Sequence, residues 1–499
     1  MNINDAGDKT KKAAFLRQYS DGGVRNGSPG ALLLKPLFGW DSINHLWPNE
    51  QKMCRDVITW QAGNRLWNPM PLQTIVHAFR LAVSACFDRL ISVKTSLSFI
   101  ALILTVTLPA VGTAKADSTT TPSLKDAYQN YFSVGVAINR TIATGQAVQA
   151  NNVNRTQEQV DKDIALVKAQ FDQISPENDL KWESIQPKPG PDGYNFAPAD
   201  AYVNFGVSNH MLIVGHTLVW HNQTPNWVFA GTNPPPAVDN TPSSGPGYMG
   251  RSYRGPRASR DELLQRMHDH IATVVGRYKG RVQVWDVVNE AVADGGTNLL
   301  RKSLWEQIIG PDFIAKAFEY AHEADPNAIL RYNDYGLEGA AKRKRFIALI
   351  KSLQAQGVPI GAIGSQTHVS VSSPTPEQLD EELTDLETLG LPIHITELDV
   401  NSAQRGQRST SGDVANNAAA TQGGLVSDAD QRSAKQYANL FSVFIKHHQS
   451  VKVVTFWGAN DGVSWRANGR PLLFDGNDEP KPSFYSVINA ATGDQSSSK

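Results

Sequence analysis

Cysteine is almost absent from this 499-residue chain: Cys54 and Cys86 are its only two. A fold held together by several disulfide bonds is therefore excluded. The sequence also lacks G-x-x-x-x-G-K-S/T, a strand-linked G-x-G-x-x-G and the G-x-S-x-G nucleophile elbow, and His322-Glu323 has no second histidine at zinc-protease spacing. These absences argue against nucleotide-dependent chemistry, serine-hydrolase chemistry and zinc proteolysis. We expect no metal ion and no cofactor.

Neither sign of charge dominates, since 47 Lys and Arg face 48 Asp and Glu. The first 116 residues hold 13 of the basic and 7 of the acidic residues, which leaves residues 117–499 with a net charge of −7. A mildly acidic chain lacks the basic surface that nucleic-acid-binding proteins use. We therefore expect no nucleic-acid partner, and we expect a monomer.

Long apolar runs are also scarce, and the run over residues 97–111 is shorter than the roughly 20 residues of a membrane-spanning helix. Basic residues precede it and A-K-A follows it, which is the pattern of a signal peptide cleaved after Ala116. Residues 1–116 are thus predicted to be a leader that contains a signal peptide over about residues 80–116. Its upstream part favours a misassigned start, with Met70 as one candidate. The mature protein would be secreted or periplasmic without a stable membrane span; an uncleaved anchor is the alternative.

Residues 117–499 alternate apolar runs typical of buried parallel strands with amphipathic runs of helical period. Eight runs have strand character: Phe132–Ala137, Phe171–Ser175, Met211–His216, Val282–Val288, Ile329–Asn333, Ala362–Thr367, Pro392–Glu397 and Val451–Trp457. Capping boxes at Ser259 and Thr375 begin two of the helices between them. The alternation predicts a single (β/α)8 TIM-barrel catalytic domain, with a doubly wound open sheet as the alternative. Stretches 231–256 and 402–424 are predicted to be long surface loops.

Two of the predicted strands deliver glutamates with polar neighbours. W-D-V-V-N-E ends at Glu290, and P-I-H-I-T-E-L-D-V contains Glu397 between His394 and Asp399. Parallel barrels carry their chemistry at the carboxyl ends of strands. Two carboxylates that flank one bond are what glycoside hydrolysis needs. The pair is therefore predicted to supply an acid and a nucleophile.

Seven motifs between residues 124 and 488 extend this pattern: S-P-E-N-D-L-K-W (175–182), G-H-T-L-V-W-H (215–221), W-D-V-V-N-E-A (285–291), Y-N-D-Y (332–335), I-G-S-Q-T-H (363–368), I-T-E-L-D (395–399), and F-W-G with S-W-R (456–466). In content and order they resemble those of family 10 glycoside hydrolases, the endo-β-1,4-xylanases with a (β/α)8 barrel. The resemblance implies an endo-acting, retaining hydrolase of β-1,4-xylosidic bonds, with xylan and xylo-oligosaccharides as partners and no cofactor.

The resemblance also implies roles for individual residues. Glu290 would be the general acid/base and Glu397 the nucleophile, Asn289 would hydrogen-bond the sugar 2-hydroxyl, and His368 and Asp399 would orient Glu397 and keep it ionised. Substrate-binding roles would fall to Glu177, Asn178, Lys181, His216, Trp220, Tyr335, Gln366, Trp457 and Trp465. Because an acid must hold its proton, we expect burial and the charge of Glu397 to raise the pKa of Glu290.

Two other functions are compatible with this fold. One is a barrel glycosidase that acts on another β-1,4 glycan such as cellulose, because other retaining barrels also use an Asn-Glu pair and a later Glu. The other is a noncatalytic carbohydrate-binding protein, against which the intact Glu290 and Glu397 argue.

Overall fold

The computed structural model describes residues 121–147, 154–231, 253, 255–403 and 428–493. All of them fall within one compact unit, Asp117–Lys499. The predicted leader with both cysteines lies outside the described residues, as do most of the two predicted loops, 231–256 and 402–424.

Eight parallel strands close a barrel. In chain order they are β1 Ser133–Ile138, β2 Gln173–Pro176, β3 Leu212–Val219, β4 Val284–Asn289, β5 Ile329–Asp334, β6 Ala362–Ser365, β8 Ile393–Asn401 and β9 Val451–Phe456. Neighbours along the chain pair with each other, β6 pairs with β8, and β1 pairs with β9, which closes the sheet. The short strand β7, His368–Ser370, pairs with the carboxyl end of β8. The predicted (β/α)8 barrel is confirmed, and the open-sheet alternative is wrong.

Helices surround the barrel and connect its strands. Their bounds are α1 Leu124–Tyr128, α2 Arg140–Thr144, α3 Gln157–Gln170, α4 Trp182–Ile185, α5 Ala197–Ser208, α6 Asn226–Phe229, α7 Arg260–Tyr278, α8 Leu304–Ile308, α9 Phe313–Ala324, α10 Ala340–Ala355, α11 Pro376–Glu387, α12 Asp428–Lys446 and α13 Pro482–Thr492. No helix among the described residues is long and apolar enough to cross a membrane.

The helix starts follow from local hydrogen bonding. The side chains of Ser259 and Thr375 each accept a hydrogen bond from the backbone N–H three residues later. The side chains of Glu262 and Gln378 in turn accept one from the backbone N–H of Ser259 and Thr375, so both predicted capping boxes are present. Apolar residues three or four positions apart on α7 then face the barrel: Leu263, Met267, Ile271 and Val274. The apolar residues whose spacing predicted the helix are therefore the ones that it buries.

The observed strand ends lie one to four residues from the predicted ones, and the ends of β4 and β6 shape the site. β4 ends at Asn289, and Glu290 turns away from it with a left-handed φ of 59°. β6 ends at Ser365, two residues before the predicted Thr367, because Thr367 has a φ of 58°. Non-glycine residues rarely adopt the left-handed conformation, and those that do are concentrated at functional sites. These two turns direct Glu290, Gln366 and His368 into the mouth of the barrel.

Candidate active site

Glu290 directly follows β4, Glu397 lies within β8, and both are nearly buried, with 9% and 5% of their surfaces exposed. Backbone bonds to neighbouring strands fix both: the N–H of Glu290 donates to the Asn333 carbonyl (2.9 Å), and that of Glu397 to the Gln366 carbonyl (3.0 Å). The strand ends therefore hold two carboxylates at the same mouth of the barrel, as the sequence predicted.

Neutral donors surround the Glu290 carboxylate. Trp220 Nε1 donates to its Oε2 (2.8 Å), and Gln366 Nε2 donates to its Oε1 (3.0 Å), with Asn289 Nδ2 at 3.4 Å from the same oxygen. Burial alone would raise the pKa of Glu290, but His221 and the bonds from Gln366 and Trp220 outweigh it and lower the pKa. The expected rise in the pKa of Glu290 is therefore wrong for the substrate-free site, because the charge of His221 and the hydrogen bonds from Gln366 and Trp220 favour the ionised form.

His221 complicates that balance. Its Nε2 lies 4.0 Å from Oε2 of Glu290, and its Nδ1 is buried without a hydrogen-bond partner in the described structure. Burial lowers the pKa of His221 to about 4. At higher pH the imidazole is neutral and adds no positive charge beside Glu290, so the hydrogen bonds are left to oppose the effect of burial on Glu290.

Glu397 has a different set of partners. Asn333 Nδ2 donates to Oε1 (2.8 Å), and His368 Nε2 lies 3.1 Å from Oε2. His368 Nδ1 lies 2.9 Å from Asp399 Oδ2, so the imidazole joins two carboxylates. Although burial alone would lower it, Asp399 and Glu397 raise the pKa of His368 to about 9. His368 is thus a cation at neutral pH and donates an N–H to each carboxylate.

Asp399 is fully buried yet ionised. Burial opposes its charge, but Arg466 and His368 hold its pKa below the ordinary value. Arg466 Nη1 donates to Oδ1 (2.8 Å), and Trp465 Nε1 donates to Oδ2 (2.9 Å). The predicted support group of His368 and Asp399 is therefore assembled around Glu397, and it is tied directly to a predicted substrate-binding tryptophan.

A row of amides connects the two glutamates. Asn333 Nδ2 donates to Glu397 and also to Asn289 Oδ1 (3.0 Å), while Gln366 Nε2 donates to Glu290 and to the same Asn289 oxygen (3.2 Å). The row needs Gly364, because a Cβ there would lie 2.4 Å from Asn333 Oδ1. The carboxylates thus share one rigid polar wall.

Below this wall the barrel interior contains a buried ion pair. Arg331 donates to both oxygens of Asp286 (2.6 and 2.9 Å), and His216 Nδ1 lies 3.0 Å from Oδ2 of the same carboxylate. His394, which flanks Glu397 in the sequence, instead lies 3.0 Å from Arg331 Nη1. Its pKa is lowered to about 3 by burial and by Arg331. The contact with Asp286 therefore fixes the orientation of the His216 imidazole at the site.

The predicted sugar-binding residues at the end of β2 form one cluster. Lys181 Nζ donates to Asn178 Oδ1 and to Gln223 Oε1, both at 2.8 Å, and lies 5.0 Å from the centre of the Trp220 ring. Glu177 precedes Asn178 and is 8% exposed. This cluster adjoins Trp220, which bonds Glu290, so its hydroxyl-binding groups extend the site to one side.

Tyr335 lies on the β5 side of Glu290. Its hydroxyl donates to Asp294 Oδ1 (2.7 Å) and accepts from Arg301 Nη2 (2.9 Å), and Lys342 Nζ lies 3.5 Å from its ring centre. Arg301 Nε also donates to the Glu290 carbonyl (3.1 Å). Tyr335 is therefore held rigidly at the opposite side of Glu290 from the Lys181 cluster.

Two tryptophans cover the Glu397 side. Trp457 directly follows β9 and makes edge contacts with His216 (5.4 Å between ring centres) and His368 (6.3 Å). Trp465 contacts His368 at 5.1 Å, is partly exposed, and has the Arg466 guanidinium 4.3 Å from its ring centre. Flat apolar faces of this kind suit pyranose rings.

Every predicted site residue is thus brought to one end of the barrel. Several residues that hydrogen-bond or contact them there were not predicted. Asn333 lies in the Y-N-D-Y motif at a predicted strand end, so its position was available as a signal. Arg301, Asp294 and Lys342 lie in loops and a helix start, and no sequence pattern distinguished them from surface charges. Among the residues described, no group of three or more His, Cys, Asp or Glu is arranged to hold a metal ion.

A closed parallel barrel with two buried, separately hydrogen-bonded glutamates at its strand ends defines an α/β-barrel glycosidase. The family model for glycosyl hydrolase family 10 matches residues 123–490. The chain belongs to that family.

Characterised relatives agree with this assignment. The chain is 37% identical to a β-1,4-xylanase of Dictyoglomus thermophilum over 374 residues, which cover 74% of this chain and 90% of the relative. It is 38% identical to an endo-1,4-β-xylanase of Geobacillus stearothermophilus over 376 residues, 74% and 98% of the two chains. The structure of a family 10 endoxylanase retrieved from a sugarcane soil metagenome matches with a TM-score of 0.61 at 36% identity, covering 74% of this chain and 99% of that one.

Proposed function

We propose that this enzyme hydrolyses internal β-1,4-xylosidic bonds of xylan and xylo-oligosaccharides with retention of anomeric configuration. The observation that carries the proposal is the unequal environment of the two glutamates. Glu397 accepts from a cationic imidazole and an amide, whereas Glu290 accepts from neutral donors beside a neutral imidazole. Retaining hydrolysis needs this inequality, because one carboxylate attacks while the other transfers a proton.

In the first step Glu397 attacks the anomeric carbon and forms an ester, while Glu290 donates its proton to the glycosidic oxygen and the leaving sugar departs. Asn333 and His368 hold the Glu397 carboxylate in place for this attack. In the second step Glu290, now ionised, takes a proton from water, which attacks the anomeric carbon and frees Glu397. The pair returns to its starting protonation state.

Glu290 requires a proton before the first step although its pKa is lowered in the free site. A sugar bound against it removes water, and removing water from a carboxylate favours its neutral form. His221 cannot offset this effect at neutral pH, because it is itself uncharged there. Substrate binding is therefore proposed to raise the pKa of Glu290 and so load the acid.

The remaining roles follow from position. Asn289, held by Asn333 and Gln366, is proposed to bond the 2-hydroxyl of the sugar under attack. Glu177, Asn178, Lys181, His216, Trp220 and Gln366 are proposed to bind sugars on the nonreducing side, and Trp457 and Trp465 to stack on or cover the ring at Glu397. Tyr335, on the other side of Glu290, is proposed to bind the leaving sugar. We also propose secretion or periplasmic export, and a monomeric mature chain.

The direct test compares initial rates of reducing-sugar release from linear xylan and from carboxymethylcellulose, using residues 117–499. We expect clear preference for xylan, whereas equal rates would favour the broader β-glycanase alternative and no release from either would favour a binding protein. Glu290→Ala should lose most activity on xylan but still react with aryl xylosides, with turnover accelerated by azide. Glu397→Ala should lose both reactions. Glu381→Ala, a change at an exposed glutamate, is the matched control and should leave both rates unchanged.

A further inference from the structure

Glu382 is a buried carboxyl that the proposed mechanism does not use. It lies in α11 with 1% of its surface exposed, behind the carboxyl end of β6. The Ser365 hydroxyl donates to its Oε1 (2.8 Å). Buried carboxyls are rare without a specific partner, so this placement calls for a role.

The Ser365 hydroxyl connects Glu382 to the turn that follows β6. It lies 3.2 Å from the Thr367 hydroxyl, which also donates to the Ser365 carbonyl (3.2 Å). Thr367 holds the left-handed conformation described above, with Gln366 before it and His368 after it. Gln366 bonds Glu290 and His368 bonds Glu397, so one turn aims a partner at each glutamate.

The charges around Glu382 do not supply a paired cation. Arg343, on α10, bonds Asp385 (2.7 Å) and Glu381 (3.0 Å), two exposed carboxylates of α11 itself. Glu338, in the loop between β5 and α10, adds a repulsive negative charge. Across the turn, His368 is already bonded to Glu397 and Asp399. The bond from Ser365 and the charge of Arg343 favour the ionised form of Glu382, but burial and the negative charge of Glu338 outweigh them.

We propose that Glu382, in its neutral form, is a positioning residue that acts through Ser365 and Thr367 to hold Gln366 and His368 in their catalytic geometry. The inference rests on the proposed glycosidase function and concerns the same site. Its consequence is that ionisation of Glu382 changes the hydrogen bond from Ser365, and through it the turn that carries a partner of each catalytic glutamate.

Titration of this group gives the proposal a measurable signature. Burial and Glu338 raise the pKa of Glu382 to about 8, against about 9 for His368. An aryl xylobioside with a 2,4-dinitrophenol leaving group needs no proton from Glu290, so the alkaline limb of its kcat/KM reports the support groups. In the unchanged enzyme that limb should have its midpoint near pH 8.

The key variant is Glu382→Gln, which keeps the size and the acceptor but cannot ionise. Its kcat/KM at pH 6 should stay within about twofold of the parent value, and its alkaline midpoint should move to about pH 9, which makes it about tenfold faster than the parent at pH 9. Ser365→Ala breaks the link instead: kcat/KM should fall at pH 6, and the limb near pH 8 should disappear. Glu381→Gln, a change at the exposed neighbour, should match the parent at every pH.

Stability provides a second readout that requires no activity. A carboxyl whose pKa is raised in the folded state destabilises the fold increasingly as pH rises from its unfolded value, about 4.5, to about 8. The melting temperature of Glu382→Gln relative to the parent should therefore increase from pH 5 to pH 8. Identical alkaline midpoints for parent and Glu382→Gln, or a melting difference that is constant with pH, would overturn the inference. A parent without activity on any xyloside would instead contradict the proposed function, and the melting comparison would still decide whether Glu382 is neutral.

Discussion

Asp399→Asn is the perturbation whose effect on the site can be worked out in most detail. Asp399 is the largest influence that raises the pKa of His368, and burial and Arg466 act in the opposite direction. With a neutral amide at position 399, burial prevails over the single remaining carboxylate, Glu397. The pKa of His368 should then fall from about 9 to below its ordinary value of 6.5. That fall of about 2.5 pH units or more corresponds to about 3 kcal/mol.

Two measurements check this value. Nitrogen chemical shifts of the His368 imidazole, identified by comparison with His368→Gln, should show a cation at pH 7 in the parent and a neutral ring in Asp399→Asn. A group whose pKa is raised on folding stabilises the fold fully below its unfolded pKa and loses that contribution as pH rises through its folded pKa. The deficit in unfolding free energy should therefore be about 3 kcal/mol near pH 6 and should shrink as pH rises through 9.

The kinetic consequence and the control complete the prediction. Loss of the cation beside Glu397 should lower kcat/KM for an activated aryl xylobioside at pH 7 by at least about tenfold. Asp380→Asn is a matched control, because Asp380 also contacts a histidine, His447 (2.8 Å), but away from the site. It should leave His368 and kcat/KM unchanged. A His368 ring that stays protonated at pH 8 in Asp399→Asn would refute the reasoning.

Three further predictions concern other parts of the chain. Trp220→Phe removes the indole N–H that donates to Glu290 (2.8 Å) and favours its ionised form, so the pKa of Glu290 should rise. In the pH profile of kcat/KM for xylan, the alkaline limb should therefore move up by about one pH unit. The parent should prefer xylopentaose over cellopentaose by at least about 100-fold in kcat/KM, and Trp465→Ala should narrow that gap, because Trp465 covers the edge of the ring where glucose carries its extra hydroxymethyl group. Secreted material should begin near Asp117 by N-terminal sequencing; recovery of mature protein that retains residues 70–116 would disprove cleavage.

The sequence predicted the barrel because its strand and helix periods are local properties. All eight predicted strands correspond to observed ones, since each is a short apolar run between amphipathic helices. The strand β7 was missed because three residues, His368–Ser370, carry no period. The early end of β6 at Ser365 was missed because left-handed Thr367 is held by tertiary hydrogen bonds, which local propensity does not contain.

For the site too, features set by local sequence could be predicted, and features set by tertiary contacts could not. Residues within motifs, such as Glu290 and Glu397, could be predicted because their position at strand ends determines where they meet. The direction of the Glu290 pKa shift could not be predicted, because it depends on the balance between burial, the charges of His221 and Arg301, and hydrogen bonds from Gln366 and Trp220. Glu382 was not predicted either, since a glutamate in an amphipathic helix ordinarily faces solvent, and only the folded structure places it behind β6.

The proposed covalent bond between Glu397 and the sugar can be tested with an activated 2-deoxy-2-fluoro-xylobioside. The fluorine slows hydrolysis of the ester more than its formation, so the intermediate accumulates and peptide mapping by mass spectrometry can locate it. We expect one sugar per chain, attached to Glu397. A label on Glu290, or no label in an enzyme that hydrolyses xylan with inversion, would contradict it.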